Sequence, residues 1–330
     1  MEIIAGGRLE VRITRDDVGK RVSVRRLGPV QDGSRTFTDT VGVLTSWDKG
    51  VLLITRKDGE SVRIPESSLV AGKVVPAAPA RRRGPAAGFA ELTRTCARAW
   101  PPVESEPLGE WTLRASGGFT RRANSALPLG DPGMPLEEAL ARVKAWYAER
   151  DLPAYVQAGT GAEGAQELLC AELEARGWVR EVSAETRTAA LAPIADVAAD
   201  VSRVGLSRTC DEAWLARYQR FGTPGPEVVR VLSGGPSVWF ARVEGAGGAV
   251  AIGRCVVDGR WAGFTAVEVA PESRRQGLAT AVMAALARQA LAEGASAAWL
   301  QVEADNAGAR GLYDGLGFAT HHTYHHFRAS

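Results

Sequence analysis

The stretch PESRRQGLAT, residues 271–280, holds the residue types that could do the most specific chemistry in this chain. Arg274 and Arg275 are followed by Gln276, Gly277, Leu278 and Ala279, between an apolar run and a long Ala/Leu-rich segment. A helix start leaves amide N–H groups without partners and concentrates partial positive charge. Gly277 lets backbone approach a bulky anion, small Ala279 keeps the same space clear, and the two arginines add charge. Together, Arg274 to Thr280 predict a seat for a diphosphate. The four histidines, His321, His322, His325 and His326, all lie in HHTYHHFRAS. Strand alternation puts His321 and His325 on one face and His322 and His326 on the other. A metal site, a pocket lining or proton relay, and plain strand surface remain open for them; no metal site is assigned. Cys96, Cys170, Cys210 and Cys255 are scattered with no CxxC pair, so neither a disulfide framework nor a zinc site is expected. A reducing cytoplasm fits.

The elements that must hold the turn are legible on either side of it. WAGFTAVEVA reads as a strand, and TAVMAALARQALAEG as a helix of good formers with Gly294 at its stop. Further upstream, residues 1–75 alternate apolar and polar residues in RVSVRRL, TDTVGVLTSW, GVLLITRK and ESVRIPESSLV, separated by PVQDGS, WDKG and KDGE. They predict a small SH3-like β-barrel. VVPAAPARRRGPAAG then reads as a linker, at 76–88. Beyond it lies an internal repeat. Residues 142–178 and 287–318 both run helix, turn, apolar strand, loop, helix, then glycine and an aromatic, so that Gln157 matches Gln301 and Gly177-Trp178 matches Gly317-Phe318. Upstream, GGFTRRANSALP resembles AGFTAVEVAP. Two α/β half-domains of one architecture are expected, 89–195 and 196–330.

Composition bounds the rest. A chain of 330 residues predicts two or three domains, and 45% hydrophobic with 24% charged residues is ordinary for a soluble protein. No transmembrane helix and no signal peptide are read. Residues 1–84 hold 16 Lys/Arg against 10 Asp/Glu, whereas the other 246 hold 24 against 28. A basic front module could meet an anionic partner such as nucleic acid, but aromatic stacking residues are few, which favours a barrel with a basic surface.

The turn and its setting resemble the GNAT N-acetyltransferase superfamily. Val269-Ala270-Pro271 followed by Arg274-Arg275-Gln276-Gly277-Leu278-Ala279 matches its strand ending in Val-x-Pro and the subsequent Arg/Gln-x-x-Gly-x-Gly/Ala. LQVEADNAGARGLYDGLGF, residues 300–318, matches its next strand and helix, with an Asn and then Leu-Tyr-x-x-Leu-Gly-Phe. The whole chain resembles actinobacterial acetyltransferases that join a small barrel to a tandem GNAT region. The resemblance implies a tandem α/β GNAT fold, a mixed central sheet flanked by helices, plus the all-β barrel. It also implies acetyl-CoA as acyl donor. Its pantetheine arm would pair with Val267, Glu268 and Val269, and its pyrophosphate would meet Arg274, Arg275, Gln276, Gly277, Leu278, Ala279 and Thr280. Asn306 matches the residue that meets the pantetheine arm or steadies this loop. Tyr313 matches the tyrosine that protonates the departing thiolate; otherwise it packs on the coenzyme.

An acceptor amine is mostly protonated at neutral pH and must lose a proton before it attacks. Glu268 is the candidate base, directly or through water, because its valine neighbours can pack while it enters the cleft; the alternative is an exposed strand glutamate. The expected activity is acetyl transfer to a primary amine, a small molecule or a protein lysine, by direct attack in a ternary complex, since no cysteine falls in the motif. A non-catalytic acyl-CoA sensor whose basic barrel contacts nucleic acid or protein is the competing reading. The first half departs from the pattern: LGDPGMPLEEAL lacks R-x-x-G-x-A, Pro132 and Pro135 remove N–H donors, and LCAELE replaces Leu-Tyr-x-x-Leu. It is expected to be catalytically silent, completing the sheet or walling the acceptor pocket.

Overall fold

The computed structural model describes residues 10–31, 34–76, 84–218 and 225–330. Most of the expected linker, 77–83, falls outside the described residues. The chain forms two compact units, Met1–Ala80 with Gly159–Gly177, and Arg81–Ala158 with Trp178–Ser330.

In the first unit, β1 (Arg21–Gln31), β2 (Ser34–Asp48), β3 (Val51–Thr55), β4 (Ser61–Pro65) and β5 (Leu69–Val74) pair antiparallel in the order β4-β3-β2-β1-β5. The alternation seen in the sequence places Val22, Val24, Leu44, Leu52, Ile54 and Ile64 in one apolar interior. The helix Glu167–Ala175 also belongs to this unit.

The second unit begins with α1 (Phe89–Arg98), the hairpin β6 (Glu104–Leu108) and β7 (Trp111–Ala115), and α2 (Leu136–Ala148). Next come β8 (Tyr155–Thr160), then, past the helix Glu167–Ala175 (α3), β9 (Val179–Ala190) and α4 (Leu191–Ala195). It continues with β10 (Val204–Ser207), α5 (Glu212–Arg217), α6 (Pro226–Ser233), β11 (Ser237–Gly245), β12 (Gly248–Asp258) and β13 (Trp261–Val269). It ends with α7 (Leu278–Ala292), β14 (Ala297–Glu303), α8 (Ala307–Gly315) and β15 (Ala319–Arg328). Eight strands make one mixed sheet, β10-β11-β12-β13-β14-β9-β15-β8, in which β13 and β14 run parallel. The mixed sheet flanked by helices, with a separate five-stranded β unit, is the architecture expected from the sequence. Helix α7 packs Val282, Met283 and Leu286 with Phe264 and Leu300 on one face. The other face carries Trp214, Val231, Phe240 and Trp299.

The order of the last four strands shows how the two halves combine. β9, from the first half, lies between β14 and β15 of the second; β15 in turn lies between β9 and β8 of the first. Each half thus gives its final strand to the other. The four residues by which the first copy of the repeat is longer lie between Gln157 and the start of α3.

Insertion of β15 explains the histidines. His322, His325 and His326 are 3%, 0% and 3% exposed, so a plain strand surface is ruled out for them. Among the described residues no group of three or more His, Cys, Asp or Glu side chains is placed to hold a metal. The expected alternation also fails at one point. The register steps from Thr320↔Arg187 to His322↔Thr186, so His321 is an extra residue in β15, and its Nδ1 meets His322 Nδ1 at 2.9 Å. His321 Nε2 lies 3.0 Å from the Ala87 carbonyl oxygen. Burial pushes the His322 and His325 rings down to about 3, and lowers His326 well below the usual imidazole range. These rings stay neutral in the folded chain while the unfolded chain takes up protons below about pH 6.5. Stability is therefore full above that pH and falls as the pH drops, by about 1.4 kcal/mol per ring per pH unit. Melting temperature measured between pH 7.5 and 5 should fall steeply below pH 6.5. His326→Leu, which forfeits no hydrogen bond among the described residues, should reduce that slope by about a third. An unchanged slope would mean that the folded chain protonates His326.

Candidate active site

The site is made by two parallel strands that stop pairing. β13 and β14 are in register from Trp261↔Ala297 to Phe264↔Leu300 and no further. Beyond that point, among the described residues, each is paired from its outer side alone. β13 stays paired with β12 through Ile252↔Glu268 and Ala251↔Val269, and β14 stays paired with β9 through Gln301↔Thr186 and Glu303↔Ala184. A bulge starts the divergence: Ala266 and Val267 together face the single residue Gly253, and Ala266 has φ +51°. Gly253 must be glycine there, since a Cβ would lie 2.4 Å from Val282 Cγ1 of α7. The inner edges of both strands are left to offer backbone N–H and C=O groups to an extended ligand.

The opening leads into the arginine turn. Pro271–Ser273 form a single 3-10 turn, Arg275 has φ +61°, and Gly277 caps α7 with φ +77°. Arg274, Arg275, Gln276 and Gly277 are exposed, whereas Leu278 is buried and anchors the helix start. Arg274 Nε donates to the Val269 carbonyl at 3.4 Å. The first bond closing α7 runs from Ala281 N to Gly277 O at 2.9 Å. Leu278, Ala279 and Thr280 therefore present first-turn amides with no intrahelical acceptor.

Val267 and Val269 pack on the α7 face of the sheet, as does Tyr313, whose ring meets Phe318 edge-on at 5.9 Å. Glu268 is half-buried, paired with Ile252, and shares the opposite face with it. The predicted residues thus fall on both sides of one opening: valines, turn and Tyr313 on one face, Glu268 on the other. Asn306 has a local task. Its Oδ1 accepts from Ala309 N at 3.1 Å and caps α8.

Other positioning residues were not singled out by sequence reasoning, because they come from the first half. Arg187 of β9 is buried, ion-pairs with Asp314 and donates to the Phe318 carbonyl at 3.1 Å, fixing the helix that carries Tyr313. Glu185 of β9 accepts from Thr320 Oγ1 at 3.0 Å and pairs with Arg310 at 3.2 Å. Nothing local in the sequence of 179–190 marks either; only the strand exchange brings them here.

Residues 87–327 match the family described as "Probable histone acetyltransferase Rv0428c C-terminal". The chain belongs to this family. A relative named "Probable histone acetyltransferase Rv0428c", from Mycobacterium tuberculosis, is 30% identical over 312 residues, 92% of this chain and 93% of the relative. "Uncharacterized N-acetyltransferase YobR" of Bacillus subtilis is 25% identical over 246 residues, 72% of this chain and 97% of the relative. In fold, a GCN5-related N-acetyltransferase from Kribbella flavida matches with a TM-score of 0.55 at 18% identity, over 74% of this chain and 96% of that one. The chain is an acetyltransferase with the GNAT fold.

In this GNAT member the turn can be probed at Gly277. An added Cβ there meets nothing within 4 Å, so only the left-handed backbone resists it. Gly277→Ala should cost about 1 kcal/mol in denaturant titration. Gly277→Asp, which sets a carboxylate at the helix start, should also abolish calorimetric uptake of coenzyme A; full uptake would remove the turn from the binding site.

Proposed function

We propose that the chain transfers the acetyl group of acetyl-CoA to a primary amine, a small molecule or a protein lysine, by direct attack within a ternary complex. The observation that carries this is the end of β13–β14 pairing at Phe264↔Leu300, on the strand that feeds the arginine turn and the start of α7. In this reading the pantetheine arm runs along Val267, Glu268 and Val269. The pyrophosphate sits on amides from Arg275 to Thr280, with Arg274, Arg275 and Gln276 around it, Gly277 and Ala279 leaving room and Leu278 fixing the helix start. In the same reading Asn306 meets the pantetheine arm or steadies the loop, with its Oδ1 kept on the α8 cap.

The amine loses a proton to Glu268, directly or through water. Its nitrogen then attacks the thioester carbonyl carbon, the C–S bond breaks, and Tyr313 passes a proton to the sulfur. A base and an acid on opposite faces of the opening suit an acceptor that arrives from one side and a thiolate that leaves on the other. A covalent acyl-cysteine has no support: Cys255, on the neighbouring β12, is buried and its thiol is pushed up to about 12 by desolvation. The relative named a probable histone acetyltransferase supports a lysine side chain as one such amine.

We further infer an organisation of barrel (1–75), linker (76–88), silent half (89–195) and catalytic half (196–330), in a reducing cytoplasm that keeps the four thiols free. In the first half Pro135 precedes α2 at its N-cap, and Glu137 and Glu138 fill the first turn, where a phosphate would be repelled.

Thiol release from acetyl-CoA across a panel of amines tests the reaction. Release should require an amine, and Tyr313→Phe should lower turnover about tenfold or more without changing acetyl-CoA affinity. Equal turnover removes the acid role. Thermal stabilisation by acetyl-CoA with no turnover on any amine would identify a sensor.

A further inference from the structure

Two polar groups beside the opening make no hydrogen bond among the described residues although they are buried: Gln301 Oε1 on β14 and Thr186 Oγ1 on β9. They are register partners, and His322 of β15 follows in the same row. Gln301 is the first residue of β14 past the last pair with β13. The row therefore begins where the strands part, on the face that also carries Glu268. Trp299, two residues earlier on that face, closes the floor: a Cβ on Gly263 would lie 2.2 Å from its ring. A buried carbonyl oxygen without a donor is costly, and at a binding site it marks the place of a ligand N–H.

The first half shows which chemistry satisfies this position. There the parallel neighbours are Ala126↔Val156, and Gln157 is the next residue on β8, as Gln301 follows Leu300 on β14. Gln157 Oε1 accepts from Arg114 Nη2 at 2.9 Å. That guanidinium is 3% exposed and also donates to Ser125 O at 2.9 Å and Ser125 Oγ at 2.8 Å. Register identifies the residue that matches Arg114 in the second half. Thr112 pairs with Leu127, one past Ala126, and Arg254 pairs with Thr265, one past Phe264. Two residues on, Arg114 matches Val256, which supplies no cation. Arg254 is committed elsewhere, donating to Leu232 O at 2.5 Å, Gly234 O at 2.7 Å and Thr265 Oγ1 at 3.2 Å.

We propose that Gln301 and Thr186 seat the head group of the acceptor, and that this head group is an aliphatic cation rich in N–H donors, occupying in the catalytic half the role the Arg114 guanidinium fills in the first. Glu303, on the same face of β14 two residues beyond Gln301, and Glu268 set negative charge at the entrance. Across the row, Arg122 Nε is held on Tyr324 Oη at 2.9 Å, which bounds the seat on that side. The acceptor class is thus a primary alkylamine or lysine side chain, and not an arylamine or an alcohol. Gln301 is a specificity-determining residue that places the nitrogen before Glu268 takes its proton. This inference rests on the acetyltransferase reading above.

The test uses the full chain with butylamine as acceptor and butylguanidine, which carries the Arg114 head group and resists acetylation, as competitor. Butylguanidine should inhibit the wild type competitively against butylamine. Gln301→Ala should raise both its inhibition constant and the KM for butylamine about tenfold or more, with kcat changed far less and acetyl-CoA affinity unchanged. Gln301→Glu should restore binding of both, because it restores the acceptor oxygen. Equal inhibition of wild type and Gln301→Ala, or preference for aniline over butylamine, would overturn the seat. The two readings separate by calorimetry without acetyl-CoA. Butylguanidine uptake that depends on Gln301 in a chain that releases no thiol would uphold the seat and overturn the transferase. Thiol release with no Gln301 dependence would do the reverse.

Discussion

The parting of β13 from β14 after Phe264↔Leu300 is the constraint from which the rest of the site follows. Two parallel strands inside a sheet leave each other only if something outside holds both, since unpaired buried backbone is costly. Here β12 holds one through the Gly253 bulge and β9 holds the other through its full length. The strain is concentrated in a few residues, with Ala266 and Arg275 in left-handed conformations at either end of the diverging segment. What opens between the strands is a pair of backbone edges leading to a helix start, a combination suited to an extended ligand with an anionic end.

The first half of the repeat supports the elements of the second. Its strand β9 is the outer support of β14, its Arg187 and Glu185 hold α8 and the start of β15, and its Thr186 faces Gln301. Within the first half, Gln157 and Ser125 are gathered on the Arg114 guanidinium. Comparison of the two halves within one chain shows the same scaffold with an arginine on the glutamine after the last parallel pair in one half, and no protein donor to it among the described residues in the other.

The parts of the molecule that were legible in the sequence are local ones. The turn at 274–279, the helix after it, the alternating strands of 1–75 and the repeat in Gln157 and Gln301 all follow from nearest-neighbour patterns. The exchange of β9 and β15 was not legible, because both halves have the same pattern and nothing local says which partner a strand will choose. That single gap accounts for the alternatives the sequence leaves open for the histidines, whose surroundings are set by strands more than a hundred residues away, and for the silence of the sequence about Arg187 and Thr186. His321 was assigned to the wrong face because one extra residue in β15 reverses a count of two. Asn306 illustrates a different limit: an asparagine before a helix is a good cap whatever else it does, and it caps here.

The exchange of final strands also governs the order in which the chain can be completed. β15 follows every other strand of the sheet in chain order and fills the slot between β8 and β9. Until that segment leaves the ribosome, the facing edges of β8 and β9 have nothing between them, and neither half owns a finished sheet. Synthesis thus delivers the closing piece after every other strand of the sheet, and from the completion of β9 until β15 is made a nascent chain carries an unsealed gap, a state open to wrong pairing with other copies. The two halves mature together or not at all, which ties the persistence of the first copy to the needs of its neighbour.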